Sequence, residues 1–166
     1  PDQSSAASDV YKRQLKKPNK HIAVFHHKDQ VFQKQNFYLV FDRINDPGNL
    51  GTIIRTCHWF GVDQIICSVD SVDCYNSKVV QSSMGSLSKV NVVYTDLIKF
   101  IKTTNKKIIG TSLNSKSISD YSFKNFDGII VFGSESNGIS QEIKKEINDY
   151  ISIPKAASNS TAESLN

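Results

Sequence analysis

Residues 37–61 of this chain constrain its fold more than any other stretch: Phe-Tyr-Leu-Val-Phe-Asp-Arg-Ile-Asn-Asp-Pro-Gly-Asn-Leu-Gly-Thr-Ile-Ile-Arg-Thr-Cys-His-Trp-Phe-Gly. Residues 37–41 are an apolar run of aromatic and branched side chains, the pattern of a buried strand. Asp46, Pro47, Gly48 and Asn49 then supply dense turn chemistry, with φ fixed by Pro and positive φ tolerated by Gly and Asn. A helix is predicted to begin near Asn49 as its N-cap and to turn Leu50, Ile53, Ile54, Cys57 and Phe60 to one face. Gly61 is placed to close it. A strand, a tight turn and a helix together build ligand sites at the carboxyl end of parallel sheets. Arg55, about a turn and a half into the helix, adds a cation suited to an anionic substrate.

The remaining residues repeat this alternation. Strands are predicted at residues 64–69, 90–94, 107–111, 128–132 and 150–153. Helices are predicted at 77–83, at 97–104 capped by Asp96, and at 141–148 capped by Ser140. Strands alternating with helices specify an α/β fold with a mainly parallel sheet and helices on both faces. At 166 residues the chain suffices for one core. Residues 1–14 carry no periodicity and are expected to be a leader or an artefact outside the fold; they have no apolar centre of the signal-peptide kind. Residues 15–35 read as a linker or the end of an upstream domain.

Composition narrows the function classes. Apolar residues at 39% and charged residues at 22% fit a globular protein. No apolar run approaches the roughly 20 residues of a membrane span. Cys57, Cys67 and Cys74 have no C-x-x-C spacing, which argues against a disulfide framework or zinc site and for a reducing, cytoplasmic setting. The His26–His27 pair lacks a second ligand cluster, so a solvated loop is expected there and no metal. A net charge of +4 permits a nucleic-acid partner without demanding one.

Two polar turns fall at the carboxyl ends of predicted strands, residues 46–49 and 133–138, and a polar tail occupies 158–166. Gly133 and Gly138 would let a ligand approach the backbone. Tight connections between elements would look the same. The turn at 134–138 is a near miss to the G-x-S-x-G nucleophile elbow, but no histidine follows it to complete a triad. Neither a phosphate-binding G-x-x-x-x-G-K-[ST] nor a dinucleotide G-x-G-x-x-G occurs.

Three stretches in order resemble the motifs of the SpoU (TrmH) family of RNA ribose methyltransferases, within the SPOUT superfamily. The first runs from Asp46 to Thr56, followed by Phe60 and Gly61. The second is Val131-Phe132-Gly133-Ser134-Glu135-Ser136-Asn137-Gly138-Ile139-Ser140. The third is Ile151-Ser152-Ile153-Pro154 with Glu163-Ser164-Leu165-Asn166. The resemblance covers roughly residues 37–166 and makes 36–166 a methyltransferase domain, truncated at its C-terminus. It makes 15–35 resemble the end of a preceding RNA-binding domain, so that the chain is expected to be an internal fragment.

The resemblance implies a C-terminal trefoil knot, which no residue pattern shows and ordinary topology disfavours. It also implies S-adenosylmethionine as cofactor, methyl transfer to a ribose 2′-oxygen, RNA as partner with ribosomal RNA preferred over transfer RNA, and a homodimer through the knot. On the motif positions stand Arg55, Asn49, Glu135, Ser164 and Asn166 as catalytic residues. Gly133, Ile153, Leu165, Thr111 and Leu113 stand on the cofactor loops, and no metal is implied. The segment between Pro154 and Ser164 is longer than the family's glycine-containing loop. Arg55 is the family's proposed base, yet a guanidinium with a pKa above about 12 resists deprotonation. Binding the adjacent phosphate and stabilising the developing alkoxide suits it better. Asn49, Ser164 and Asn166 would orient the hydroxyl and relay its proton. The alternative is a non-catalytic RNA-binding module of the same fold, expected to have lost one or more of these residues.

Overall fold

The computed structural model describes His27 and residues 30–155. Its elements in chain order are strand β1 (Phe37–Phe41), helix α1 (Pro47–Trp59), β2 (Gln64–Ser68), α2 (Ser77–Ser82), β3 (Asn91–Thr95), α3 (Leu97–Thr103), β4 (Lys107–Ser117), β5 (Gly128–Phe132), α4 (Gln141–Lys144) and β6 (Asp149–Ser152). Short 3-10 turns at Ser86–Ser88 and Ile118–Asp120 fill two of the connections. The six strands form one sheet in the order β3-β2-β1-β5-β4-β6, with every named pair parallel.

Strand alternation divides the core in two. Phe41, Ile65, Cys67 and Val92 face Leu50, Ile54 and Cys57 of α1 and Val79 of α2. Tyr38, Val40, Ile66, Ile129 and Val131 face Leu97 and Ile101 of α3 and Ile143 of α4. Both faces of the central strands are thus buried, which is why those strands read as unbroken apolar runs. β1 and β5 are neighbours although the chain passes through β2, β3 and β4 between them. This reversal of strand order leaves a crevice at their carboxyl ends, where open parallel sheets hold ligands.

Four local expectations change. The N-cap of α1 is Asp46, whose carboxylate accepts the Asn49 N–H at 2.8 Å, with Pro47 in the first helical turn. Asp and Asn cap about equally well, and Pro favours the first turn, so the helix starts three residues earlier than expected. Phe60 is 76% exposed and does not join the buried face. The helix has ended at Trp59, and Gly61 at φ 74 reverses the chain. Its N–H donates to the His58 carbonyl while Val62 N–H donates to that of Cys57, the paired bonds of a glycine-terminated helix.

Helix α4 stops at Lys144 instead of about residue 148. Asn148 is committed to β4: its N–H donates to the Ile108 carbonyl at 2.9 Å and its Oδ1 accepts the Ile108 N–H at 2.8 Å. β4 runs six residues further than expected because β6 pairs with it twice, at Thr111–Ile151 and again at Lys116–Ile151. The residues between stand out as a bulge.

Part of the stretch expected as a linker packs on the domain. Gln64, 1% exposed, accepts the Gln33 N–H and donates to the Gln33 carbonyl, both at 2.8 Å, and Asn91 Nδ2 donates to the Val31 carbonyl. His27 stacks on Tyr75 with ring centroids 3.9 Å apart. No group of three or more potential metal ligands occurs among the described residues. None of the described helices is long and apolar enough to cross a membrane.

Candidate active site

The crevice between β1 and β5 brings the first two sequence motifs into direct contact. Because Asp46 takes the capping role, the Asn49 side chain is not needed at the helix end. Its Nδ2 donates instead to Glu135 Oε2 at 3.1 Å, across 86 residues of sequence. Thr52 is an i+3 neighbour of Asn49 and Arg55 of Thr52 on the surface of α1, which sets Arg55 about 120° round the helix from Asn49. Thr52 and Arg55 are exposed. Arg55 has no hydrogen-bond or ion-pair partner among the described residues, whereas Lys78 lies 3.9 Å from the Asp46 carboxylate. An exposed guanidinium without a carboxylate partner is available to an anion from solvent.

Glu135 stands on a turn that closes on itself. Ser134 N–H donates to the Gly138 carbonyl at 3.1 Å, and Gly138 N–H returns a bond to Ser134 at 2.8 Å. Ser134 Oγ also accepts the Asn137 N–H at 3.2 Å. A Cβ on Gly133 would collide with the Gly138 carbonyl carbon and the Ile139 nitrogen. The turn's own closure therefore requires this glycine, before any ligand is considered. Gly138 at φ 63 supplies the left-handed residue.

The second group of expected residues lies along the same rim. Thr111 is half-buried in β4, directly before its bulge, and its Oγ1 donates to the Val131 carbonyl of β5 at 3.1 Å. Leu113, in the β4 bulge, is 73% exposed, and Ile153, just past β6, is 62% exposed. Ser152 Oγ donates to the Ser115 carbonyl at 2.7 Å and pins the bulge to β6. Gly133 lies one residue beyond β5, the strand next to β4. Ser164, Leu165 and Asn166 lie outside the described residues, so the third motif is represented by Ile151 to Pro154 alone.

Sequence reasoning passed over Asp42. It sits at the end of β1 between Phe41 and Arg43, where an Asp-Arg pair reads as ordinary loop polarity. In the structure its side chain is 4% exposed. Asp42 Oδ2 accepts the Ser140 N–H at 2.6 Å, and the Asp42 N–H donates to the Phe132 carbonyl at 2.8 Å. The only prior signal was a charge directly abutting a buried strand.

An open parallel sheet with a polar crevice at its strand-order reversal, fed by a helix-borne cation and a glycine-closed acidic turn, defines an α/β ligand-binding domain. The profile of the SpoU rRNA Methylase family matches residues 36–166. The chain therefore belongs to that family. It is 28% identical over 154 residues to the Bacillus subtilis 23S rRNA (guanosine(2553)-2′-O)-methyltransferase RlmP, covering 90% of this chain and 60% of that one. It is 30% identical over 148 residues to human mitochondrial rRNA methyltransferase 1, covering 80% and 42%. Among solved structures, the SpoU methyltransferase AviRb of Streptomyces viridochromogenes in complex with AdoMet aligns with a TM-score of 0.68 at 28% identity, covering 81% and 56%. The chain spans about half the length of the relatives it matches.

Proposed function

We propose that this chain is the catalytic region of an S-adenosylmethionine-dependent RNA methyltransferase acting on a ribose 2′-hydroxyl, with ribosomal RNA as substrate. The observation that carries the reading is the Asn49–Glu135 hydrogen bond at 3.1 Å, which joins two distant motifs at the helix that also carries the exposed Arg55. The named ribosomal RNA activities of the B. subtilis and human relatives support the substrate class.

The residues at the rim fit S-adenosylmethionine. Leu113 in the β4 bulge and Ile153 just past the adjacent β6 hold apolar side chains in solvent, where a flat adenine would cover them. Thr111 and Gly133 complete the described part of the proposed cofactor rim, and Leu165 is assigned to the same cofactor. When bound, the cofactor supplies an electrophilic methyl on a sulfonium. Arg55 binds the phosphate next to the target ribose and stabilises negative charge developing on the 2′-oxygen. Glu135 accepts from the Asn49 amide and so orients its carbonyl oxygen, which is left to accept a hydrogen bond from the ribose hydroxyl. Ser164 and Asn166 are assigned to the same hydroxyl and its proton. The domain extends over 36–166, with Val31 and Gln33 packed on it. Residues 15–35 lead from an RNA-binding region, and a knotted C-terminal segment forms the homodimer. A cytoplasmic or organellar-matrix setting, where ribosomal RNA is reached, follows from the substrate.

The test incubates the full-length protein with methyl-labelled S-adenosylmethionine and total RNA, then maps the labelled nucleotide. Label on a ribose 2′-oxygen of ribosomal RNA is expected. RNA binding without transfer would instead mark a non-catalytic module, and label on a base would refute the ribose assignment.

A further inference from the structure

Asp42 is a buried carboxylate that the proposed chemistry does not use, and it has a place of its own in the fold. It directly follows β1, at the start of the turn that leads to Asp46 and Asn49. One of its oxygens accepts the Ser140 N–H at 2.6 Å, at the far end of the turn that carries Glu135. Its other oxygen lies 3.4 Å from Arg43 Nε. Its own N–H is bonded to Phe132, the residue before that turn. The turn after β5 is therefore tied to Asp42 at both ends.

Arg43 makes the neighbourhood stricter. It adopts φ 55, a left-handed conformation that strains a non-glycine residue. Its N–H is fixed by Ser68 Oγ at 2.9 Å, and its Nε is a buried donor with no hydrogen-bond partner among the described residues. Asp42 thus accepts a hydrogen bond on one oxygen and forms an ion pair with the Arg43 guanidinium at the other. A carboxylate suits both, as acceptor and as counter-ion. An Asn of the same shape keeps an acceptor for Ser140 but removes the negative charge that faces Arg43.

We propose that Asp42 is a positioning residue: by accepting from Ser140 on one side and facing Arg43 on the other, it holds the 133–138 turn at the spacing that lets Glu135 orient Asn49. The inference rests on the proposed methyl transfer for its kinetic consequence, but not for its structural one.

The experiment compares wild type, Asp42→Ala, Asp42→Asn, Arg43→Gly and Asp42→Asn/Arg43→Gly in the full-length protein. Two readouts are taken, hydrogen exchange of the Ser140 amide and steady-state methylation. In Asp42→Ala the Ser140 amide is expected to lose about tenfold or more of its protection, while Val40 and Val131 keep theirs. Asp42→Asn should lower kcat about tenfold with KM for RNA held within about threefold, the pattern of an interaction made in the transition state. Arg43→Gly removes the cation that Asp42→Asn leaves without its counter-ion and suits the left-handed backbone, so adding it should return Asp42→Asn to within about threefold of Arg43→Gly alone. Unchanged Ser140 protection in Asp42→Ala, unchanged kcat in Asp42→Asn, or failure of Arg43→Gly to rescue would each overturn the proposal. If wild type transfers no methyl group, the proposed function fails, and Ser140 exchange alone decides the role of Asp42.

Discussion

Asn49, Glu135 and Arg55 divide the labour of the crevice by what their atoms can do. Asn49 brings both a donor and an acceptor, and its donor is spent on Glu135. Arg55 brings five donors in a planar fork and, among the described residues, spends none. Arg55→Ala is therefore expected to lower methyl transfer by about a hundredfold or more, as loss of a transition-state donor does. Affinity for S-adenosylmethionine, measured by calorimetry, should stay within about twofold, because Arg55 lies on α1 and not on the β4–β6 rim. Near-normal turnover of the variant would remove Arg55 from the site. The residue types were all visible in the sequence. That Asn49 meets Glu135, and that Asp42 meets Ser140, was not, since each pair is far apart along the chain and joined only by the pairing of β1 with β5.

At the scale of the element, α1 shows how one assignment governs another. Asp46 and Asn49 are both good caps, and local propensity cannot choose between them. Placing Pro47 in the first turn decides for Asp46 and leaves the Asn49 side chain for Glu135. Asp46→Ala is expected to cost about 1 kcal/mol of stability, read as a lowered urea midpoint. It should also reduce methyl transfer, because the Asn49 N–H loses its anchor. Full activity with the same loss of stability would separate the cap from the site. The strands were legible because a strand buried on both faces needs a continuous apolar run. Helix α4 was overextended for the opposite reason. Its sequence tolerates helix to residue 148, and only the distant bonds of Asn148 to Ile108 end it.

Across the whole molecule, the three cysteines lie in one of the two cores, free and buried. Burial pushes the Cys57 thiol from its ordinary value near 9 to about 11, and Cys67 is raised further by burial and by its neighbours Cys74 and Cys57. A thiol whose pKa is higher in the folded state favours folding fully below its unfolded value and loses that contribution as pH rises through the folded one. Thermal stability is therefore expected to decline between about pH 9 and 11, and less steeply in Cys57→Ala. A flat profile over that range would show that these thiols do not titrate differently on folding. Alkylation of the native protein at pH 8 should be slow and should follow unfolding, since a buried neutral thiol is a poor nucleophile.

The order of apolar runs and turns in the sequence determined an α/β fold with a parallel sheet, because burial on both faces leaves a periodicity that local side chains cannot disguise. The sequence also carried the motifs that place the chain in its family. What only the tertiary structure decided is which polar groups meet. The strand order set β1 beside β5, and that neighbourhood chose Glu135 as the partner of Asn49 and left Arg55 facing solvent. It also made Asp42 a buried tie instead of a loop charge. A hydrogen bond is fixed by distances of a few tenths of an ångström between residues about a hundred positions apart, and such distances are set by packing rather than by sequence spacing.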